Sequence, residues 1–161
     1  MTNPPKEFPS KESVVETCRK MNRLGLNRGS SGNVGVRFGK DFLITPSGID
    51  YDRMEAADIV VMDLDGGYRG RHAPSGEWRM HRDILTTHGE VEAVVHSHSL
   101  YCTALAIHGR SIPAIHYLIA LAGGNDISCV PYCYVLRNSR DIVPRSGMGA
   151  GWRSWSLLTG A

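Results

Sequence analysis

Apolar residues near the start of the chain recur every three to four positions, which is the period of an amphipathic helix. Ser10 has the side chain of a helix N-cap, and Gly25 is the residue type that most often ends a helix. We therefore predict one helix between them. Its apolar face carries Val14, Val15, Cys18, Met21 and Leu24.

The pattern then changes from a helical period to alternation. After a loop rich in glycine and serine at residues 28–33, apolar and other residues alternate over 34–38, and short apolar runs follow at 42–45 and 59–62. The run Asp65-Gly66-Gly67 is a strong turn signal. This part of the sequence predicts three strands, the third of which ends at that turn.

The second half of the chain mixes both periods. The pattern predicts a helix over residues 77–88 that is capped by Ser75, a strand over 91–98, and helices over 100–107 and 114–122. Helices and strands do not follow a regular βαβ order. We therefore predict an α/β protein with a mostly antiparallel central sheet that is covered by helices.

Composition narrows the class of protein. The chain has 161 residues, of which 42% are hydrophobic and 21% charged, with a net charge of +2. These values fit one globular domain and leave no basic stripe for nucleic acid. The sequence shows no apolar run of membrane-spanning length and no signal-peptide core. We expect a cytoplasmic protein with reduced cysteines that binds neither nucleic acid nor membrane.

The strongest candidate for chemistry is His96-Ser97-His98 at the end of the last predicted strand. Residues two apart on a strand point to the same face, so both imidazoles can reach one metal ion. Glu77, at the start of the preceding helix, could serve such a site as an acid or base. The residues alone leave an alternative interpretation open. The two histidines could be core residues, and the Glu77 carboxylate could serve only to stabilise the helix through its dipole.

Seven short motifs, in order, resemble the class II aldolase/adducin family, in particular its sugar-phosphate aldolases. They are MNRLGLN (21–27), SSGNV (30–34), LITPSGI (43–49), PSGEW (74–78), AVVHSH (93–98), IPAIHY (112–117) and AGGN (122–125). The resemblance implies an αβα layered fold over residues 10–132, which follows a flexible N-terminus at 1–9.

The resemblance also implies an activity and its residues. Members of this kind use zinc to cleave a ketose 1-phosphate into dihydroxyacetone phosphate and an aldehyde. His96 and His98 match two of the three metal histidines, with one Zn²⁺ expected per subunit, and Glu77 matches the catalytic glutamate and could complete the metal shell. Tyr117 matches a tyrosine acid that is contributed across a subunit boundary, which implies a homo-oligomer, expected to be a tetramer. A buried core tyrosine is the alternative for Tyr117.

The positions that match the family's phosphate site are Asn33, Ser47, Gly48, Ser75 and Gly76. Short side chains there leave backbone N–H groups free to bind phosphate oxygens. Many relatives have a second serine where this chain has Gly76, so one hydroxyl donor is missing. Ordinary turns are the alternative interpretation of these loops.

The resemblance fades after about residue 132. No histidine follows His116, so the third metal histidine is missing from the sequence. Reading residues 133–161 with a shift of one nucleotide permits Ala-Thr-Phe and Gly-Asp-His-Gly-Leu runs of the family type. A frameshift near Tyr132 is therefore our leading hypothesis for this tail, and a shortened, divergent member is the alternative.

Three functions stay open at this point. The first is a zinc aldolase for a sugar phosphate, with activity reduced or lost in this chain because a ligand is missing. The second is a sugar-phosphate 4-epimerase, dehydratase or decarboxylase on the same scaffold. The third is a non-catalytic, adducin-like interaction module.

Overall fold

A computed structural model describes residues 9–117, 119 and 126–129. In this part of the chain the helices are α1 (Lys11–Arg23), α2 (Trp78–Thr87) and α3 (Leu100–Ile107), with a 3₁₀ turn at Ala56–Asp58. The strands are β1 (Asn33–Phe38), β2 (Asp41–Ile44), β3 (Val60–Met62), β4 (Tyr68–Arg69), β5 (Ala93–His96), β6 (Ile112–Pro113) and β7 (Asp126–Ile127).

The described residues form a central sheet with strand order β4-β3-β2-β1-β5, in which every neighbouring pair is antiparallel. β5 lies at one edge and pairs with β1, with Asn33 opposite His96 and Gly35 opposite Val94. β6 and β7 form a separate antiparallel pair. The predicted antiparallel sheet is confirmed.

Helices cover both faces of the sheet. On one face α1 buries Val14, Cys18 and Met21 against Val34 and Leu43 of β1 and β2. On the other face α2 packs against the alternate residues of the strands. That second core contains Phe42, Ile44, Val60, Met62, Met80, Ile84, Leu85 and Val94. The period of two in the strands places their apolar side chains in both cores, which gives the expected αβα layers.

The first helix begins where the sequence predicts. The Ser10 hydroxyl accepts a hydrogen bond from the backbone N–H of Ser13 at 3.1 Å, as an N-cap does. The predicted helix over 77–88 is also present, with Trp78–Thr87 as its bounds. Ser75 lies two residues before the N-cap position, which Glu77 occupies. The Ser75 hydroxyl accepts from the backbone N–H of Glu77 at 3.3 Å.

Two predicted elements differ from the structure. The strand predicted over 91–98 is limited to Ala93–His96, because its partner β1 begins at Asn33 and the chain before it turns away at Gly32, where φ is +71°. The helix predicted over 114–122 does not include residues 114–117. The preceding residue, Pro113, belongs to β6, and its carbonyl accepts a hydrogen bond from the N–H of Ile115 at 2.7 Å.

Other predictions fall outside the described residues. These are the flexible segment before residue 9, most of the predicted helix after residue 117, and the anomalous tail over 133–161. In the part of the chain that the structure describes, no helix is both long and apolar enough to cross a bilayer.

Close packing between β1 and α2 requires a glycine at position 35. A Cβ placed on Gly35 would overlap the His81 ring, with its Cγ only 3.0 Å away. His81 is fully buried, so its ring has no free space into which it could move.

We predict that Gly35→Ala lowers the free energy of unfolding by about 1–3 kcal/mol, the usual cost of overpacking a core. Chemical denaturation monitored by circular dichroism measures this change. Gly89→Ala is the matched control, because nothing lies within 4 Å of a Cβ at Gly89, and its expected effect is within about 0.5 kcal/mol. Equal losses in the two variants would contradict the close contact between Gly35 and His81.

Candidate metal centre

Two histidines lie together at the edge of the sheet. His96 is the last residue of β5 and only 8% of its side chain is exposed, whereas His98 follows the strand and is partly exposed. The Nε2 atoms of the two rings are 3.0 Å apart. The spacing of two residues therefore brings both imidazoles to one point, although only His96 belongs to the strand.

A loop contact holds the backbone of His98 in place. The Asn27 side-chain oxygen accepts a hydrogen bond from the His98 N–H at 2.9 Å, and Asn27 is buried. Gly32 makes this contact possible, since a Cβ at that position would lie 2.5 Å from the carbonyl oxygen of His96. Sequence reasoning assigned no role to Asn27, because the contact joins residues 71 positions apart.

Glu77 joins the two histidines. Its carboxylate Oε2 lies 3.3 Å from His96 Nε2 and accepts a hydrogen bond from Asn33 Nδ2 at 2.5 Å. One ligand atom from each of Glu77, His96 and His98 lies within 4.8 Å of the others. From its position at the start of α2, the Glu77 carboxylate is therefore directed toward the two imidazoles. It does more than interact with the helix dipole.

The three groups fit a divalent metal ion. In a tetrahedral site with bonds of about 2.0–2.1 Å, ligand atoms are separated by about 3.3 Å. The separations between His96 and its two neighbours, 3.0 and 3.3 Å, match this value, while the third pair, Glu77 and His98, lies within 4.8 Å and would have to close around an ion. Two imidazole nitrogens and a carboxylate oxygen are a donor set that suits Zn²⁺ and other first-row metals.

Burial favours the neutral form of His96, which metal binding requires. Desolvation lowers the pKa of His96, the negative charge of Glu77 opposes that shift, and the positive charge of His98 adds to it. The net direction is downward, so the imidazole is more often neutral than a free histidine at the same pH. Neutral imidazole is the form that binds a metal ion.

Asn33 and His81 continue the network into the core. The Asn33 side-chain oxygen is hydrogen-bonded to His81 Nε2, and the Asn33 amide nitrogen donates to Glu77. Desolvation lowers the pKa of His81 to about 3, and the charge of His96 adds to the effect. The structure buries His81, and its contact with Asn33 was not anticipated from the sequence.

The two loops predicted to bind phosphate lie side by side. Pro46 and Pro74 form an isolated antiparallel bridge, and the Ser47 N–H donates to the Ala73 carbonyl at 3.0 Å. The Ser75 N–H donates to the Thr45 carbonyl at 2.9 Å. The backbone amides of both serines are therefore used in joining the loops.

The glycines of these loops are more open. Nothing lies within 4 Å of a Cβ placed on Gly48 or Gly76, and φ is +73° at Gly48. Within the described residues, the backbone N–H groups of these two glycines make no hydrogen bond. Asn33 differs from the other four positions, because both ends of its amide are engaged by Glu77 and His81.

Tyr117 is not part of the centre in this chain. Its side chain is 74% exposed and its ring lies against that of His116, with 4.5 Å between the ring centroids. Among the described residues, no hydrogen bond or ring contact joins Tyr117 to Glu77, His96 or His98.

A layered fold with an antiparallel sheet, two edge histidines and a carboxylate defines a candidate metalloprotein of the αβα class. Residues 12–141 match the profile of the Class II Aldolase and Adducin N-terminal domain. The chain belongs to the class II aldolase/adducin family, as the sequence motifs predicted.

Named relatives agree with this assignment. The L-fuculose phosphate aldolase of Escherichia coli K12 is 49% identical over 119 residues, which are 74% of this chain and 55% of the relative. The 5-methylthioribulose-1-phosphate/5-deoxyribulose-1-phosphate aldolase of Rhodospirillum rubrum is 47% identical over 122 residues, covering 76% of this chain and 55% of the relative. The chain thus spans about half the length of these curated relatives.

Solved structures show the same fold. An L-fuculose 1-phosphate aldolase superposes with a TM-score of 0.74 at 35% identity, covering 80% of this chain and 63% of that protein. The L-fuculose-1-phosphate aldolase from Thermus thermophilus gives a TM-score of 0.62 at 25% identity, covering 73% and 58% of the two chains.

We predict that burial of His81 makes the fold sensitive to acid. The lowered pKa means that the unfolded chain takes up this proton as the pH falls below about 6.5, whereas the folded chain does so only near 3. Stability is therefore lost as the pH falls through this window. Between pH 7 and pH 5 the wild type should lose about 2 kcal/mol more unfolding free energy than His81→Gln.

Denaturant titrations of both proteins at each pH measure this difference. The His81→Gln variant keeps all other titratable groups, so it serves as its own control for their contribution. Parallel losses in the two proteins would show that His81 is not held neutral by burial.

Proposed function

We propose that this chain carries the metal and proton-transfer site of a class II aldolase that cleaves a ketose 1-phosphate to dihydroxyacetone phosphate and an aldehyde. The convergence of Glu77, His96 and His98 within a member of this family is the observation that supports the proposal most directly. The names of the relatives favour L-fuculose 1-phosphate or a 5-substituted ribulose 1-phosphate as the substrate.

His96, His98 and Glu77 are the residues that would hold the metal ion, for which zinc is our proposal. A bound divalent ion supplies Lewis-acid polarisation of the substrate oxygens. Within the described residues β5 is an edge strand, and Glu77 and His98 are partly exposed, so a ligand can approach from that side. The third histidine that the family pattern implies is not among the residues after His116.

Glu77 is placed to move a proton as well as to bind. In an aldol cleavage the carbon next to the carbonyl gains a proton when the aldehyde leaves. The Glu77 carboxylate is 26% exposed, and it is anchored by the 2.5 Å hydrogen bond from Asn33. A carboxyl group held from the core side, with its other side accessible, can give or take the proton at that carbon.

The paired loops are our proposal for the phosphate site. Within the described residues the amides of Gly48 and Gly76 make no hydrogen bond, and the hydroxyls of Ser47 and Ser75 lie beside them in sequence. Each loop therefore offers one free backbone N–H and an adjacent hydroxyl as donors for an anion. Asn33 serves Glu77 in this structure, and we propose a contact between Asn33 and phosphate only as a secondary role.

A subunit partner would complete the site. We propose that Tyr117 acts as an acid toward a neighbouring subunit, since it is exposed and does not contact the metal residues of its own chain. We propose that the subunits assemble into a homotetramer and that this assembly is located in the cytoplasm. Exposed apolar side chains in the same part of the molecule are consistent with contact between subunits. They are Val95, Leu100, Tyr101, Ile107 and Ile115.

Other reactions use similar sites. A sugar-phosphate 4-epimerase, dehydratase or decarboxylase would need the same metal residues, and an adducin-like module would need none of them. The curated relatives named here are aldolases, and Glu77, His96 and His98 are all present and close together. The names of the relatives favour the aldolase over the other enzymes, and the three clustered residues favour a metal enzyme over the non-catalytic module.

We predict that the zinc-loaded chain releases dihydroxyacetone phosphate from L-fuculose 1-phosphate at a rate that the missing histidine ligand reduces or abolishes. Where release is measurable, Glu77→Gln should lower the rate by a further factor of about 10²–10⁴, the usual contribution of a general acid or base. A coupled reductase assay that consumes dihydroxyacetone phosphate measures the release. Chelation of the metal should abolish it. Glu16→Gln, on the exposed face of α1, should leave the rate unchanged.

The outcomes separate the three functions. A chain that binds zinc and converts a ketose phosphate without releasing dihydroxyacetone phosphate would point to an epimerase or dehydratase. A chain that binds zinc and converts none of the named ketose phosphates would show that activity is lost with the missing ligand. A folded chain that binds no metal would point to a non-catalytic module. Equal rates for the Glu77 and Glu16 variants would remove Glu77 from the mechanism.

We also predict that Gly76→Ser improves recognition of phosphate. A Cβ at Gly76 meets open space, so the hydroxyl can reach an adjacent anion without displacing other atoms. One added hydrogen bond of about 0.5–1.5 kcal/mol lowers KM for the ketose 1-phosphate by about 2–10-fold. Gly89→Ser, which is equally open, is the matched control. An unchanged KM in Gly76→Ser would place the phosphate elsewhere.

A further inference from the structure

We propose that His81 is a positioning residue that acts through Asn33 to orient the Glu77 carboxylate toward the two metal-site histidines. This inference rests on the proposed metal centre and extends it into the core of the protein. It concerns a side chain that would touch neither substrate nor metal.

The contacts form one continuous chain of hydrogen bonds. His81 projects from α2 into the space between that helix and β1, where its Nε2 is bonded to the Asn33 side-chain oxygen. The Asn33 amide nitrogen donates to Glu77 Oε2 at 2.5 Å. Glu77 Oε2 in turn lies 3.3 Å from His96 Nε2. Asn33 and Glu77, in the middle of this chain, each have a neighbour on either side.

The orientation of the Asn33 amide follows from its two partners. If the amide were turned over, its oxygen would face the Glu77 carboxylate, and two acceptors would be in contact with no proton between them. With the amide as it stands, Asn33 donates to Glu77 and must accept from His81. The His81 Nε2 therefore carries a proton, which is an assignment made from the network.

The opposite side of the His81 ring keeps the proton on Nε2. Nδ1 is buried and has no hydrogen-bond partner among the described residues. It lies against the backbone of Gly35, which presents no acceptor side chain. A proton on Nδ1 would be buried without an acceptor, and such groups are strongly disfavoured. Burial also lowers the pKa of His81, so the ring is neutral and has a single N–H.

The consequence for the site is a fixed donor. His81 sets the direction of the Asn33 amide, and the amide presents its N–H to the one carboxylate oxygen that also approaches His96. Carboxylate ligands of metal ions are generally held by such neighbouring hydrogen bonds, and the loss of one typically costs 10–100-fold in metal affinity.

The test compares two replacements of His81 at neutral pH, with Co²⁺ as a visible probe of the metal site. His81→Phe keeps a flat ring of similar size but has no donor, and Co²⁺ affinity should fall by about 10–100-fold. His81→Gln has an amide that can donate to Asn33, so its affinity should recover to within a few-fold of wild type. Equal losses in both variants would overturn the proposal.

A double-mutant cycle separates positioning from general damage to the fold. In an Asn33→Ala background, His81→Phe should change Co²⁺ affinity by less than about two-fold, because the link to Glu77 is already absent. A loss as large as in the wild-type background would mean that His81 acts by another route. Thermal unfolding of each metal-free variant shows which proteins are folded before they are titrated.

A metal-free measurement distinguishes failure of this inference from failure of the proposed function. In the ¹⁵N NMR spectrum of the wild type, His81 should appear as the neutral Nε2–H form, and the two Asn33 side-chain protons should have separate, slowly exchanging signals. In His81→Phe those signals should merge or broaden. If they stay separate, the inference is wrong, whether or not the chain binds Co²⁺ or cleaves a sugar phosphate.

Discussion

The antiparallel pairing of β1 with β5 is the constraint on which the site depends. It places Asn33 opposite His96 and Gly35 opposite Val94. A shift of one residue would turn every side chain of β5 to the other face of the sheet. His96 would then point toward α1, away from Glu77. The register is fixed by burial of Val94 in the α2 core, so the same apolar contact that stabilises the sheet also positions one of the proposed metal ligands.

Burial of polar groups gives the site its character. Asn33, His81 and His96 are each less than 10% exposed, and only Glu77 and His98 reach solvent. A buried polar network is stable only when its members satisfy one another. Here a single carboxylate faces His96, whose pKa burial lowers, and the neighbouring imidazole of His98. The arrangement has an excess of acceptor atoms at one point, and a cation placed there would reduce their mutual repulsion.

The sequence predicted the parts of the site that depend on local spacing. The two-residue separation of His96 and His98, and the position of Glu77 at a helix start, were visible without a structure. His81 and Asn27 were not recognised, because their roles depend on contacts across 48 and 71 residues. The early end of β5 was missed for a related reason. It is set by the turn at Gly32, on a different segment, and strand alternation carries no information about where the partner strand begins.

Among the described residues the candidate site lies at an edge strand, and this location meets two requirements. His96, as a proposed metal ligand, needs a dry, well-packed setting, which the α2 face of the sheet supplies. A substrate needs access, which an interior strand would deny. At β5 the buried side chains alternate with exposed ones, and Val95, next to His96, is 54% exposed. In the part of the chain that the structure describes, no strand pairs with the outer edge of β5, and an unpaired edge with apolar neighbours favours association. The location proposed to admit a ligand would therefore also favour the subunit contact that we propose.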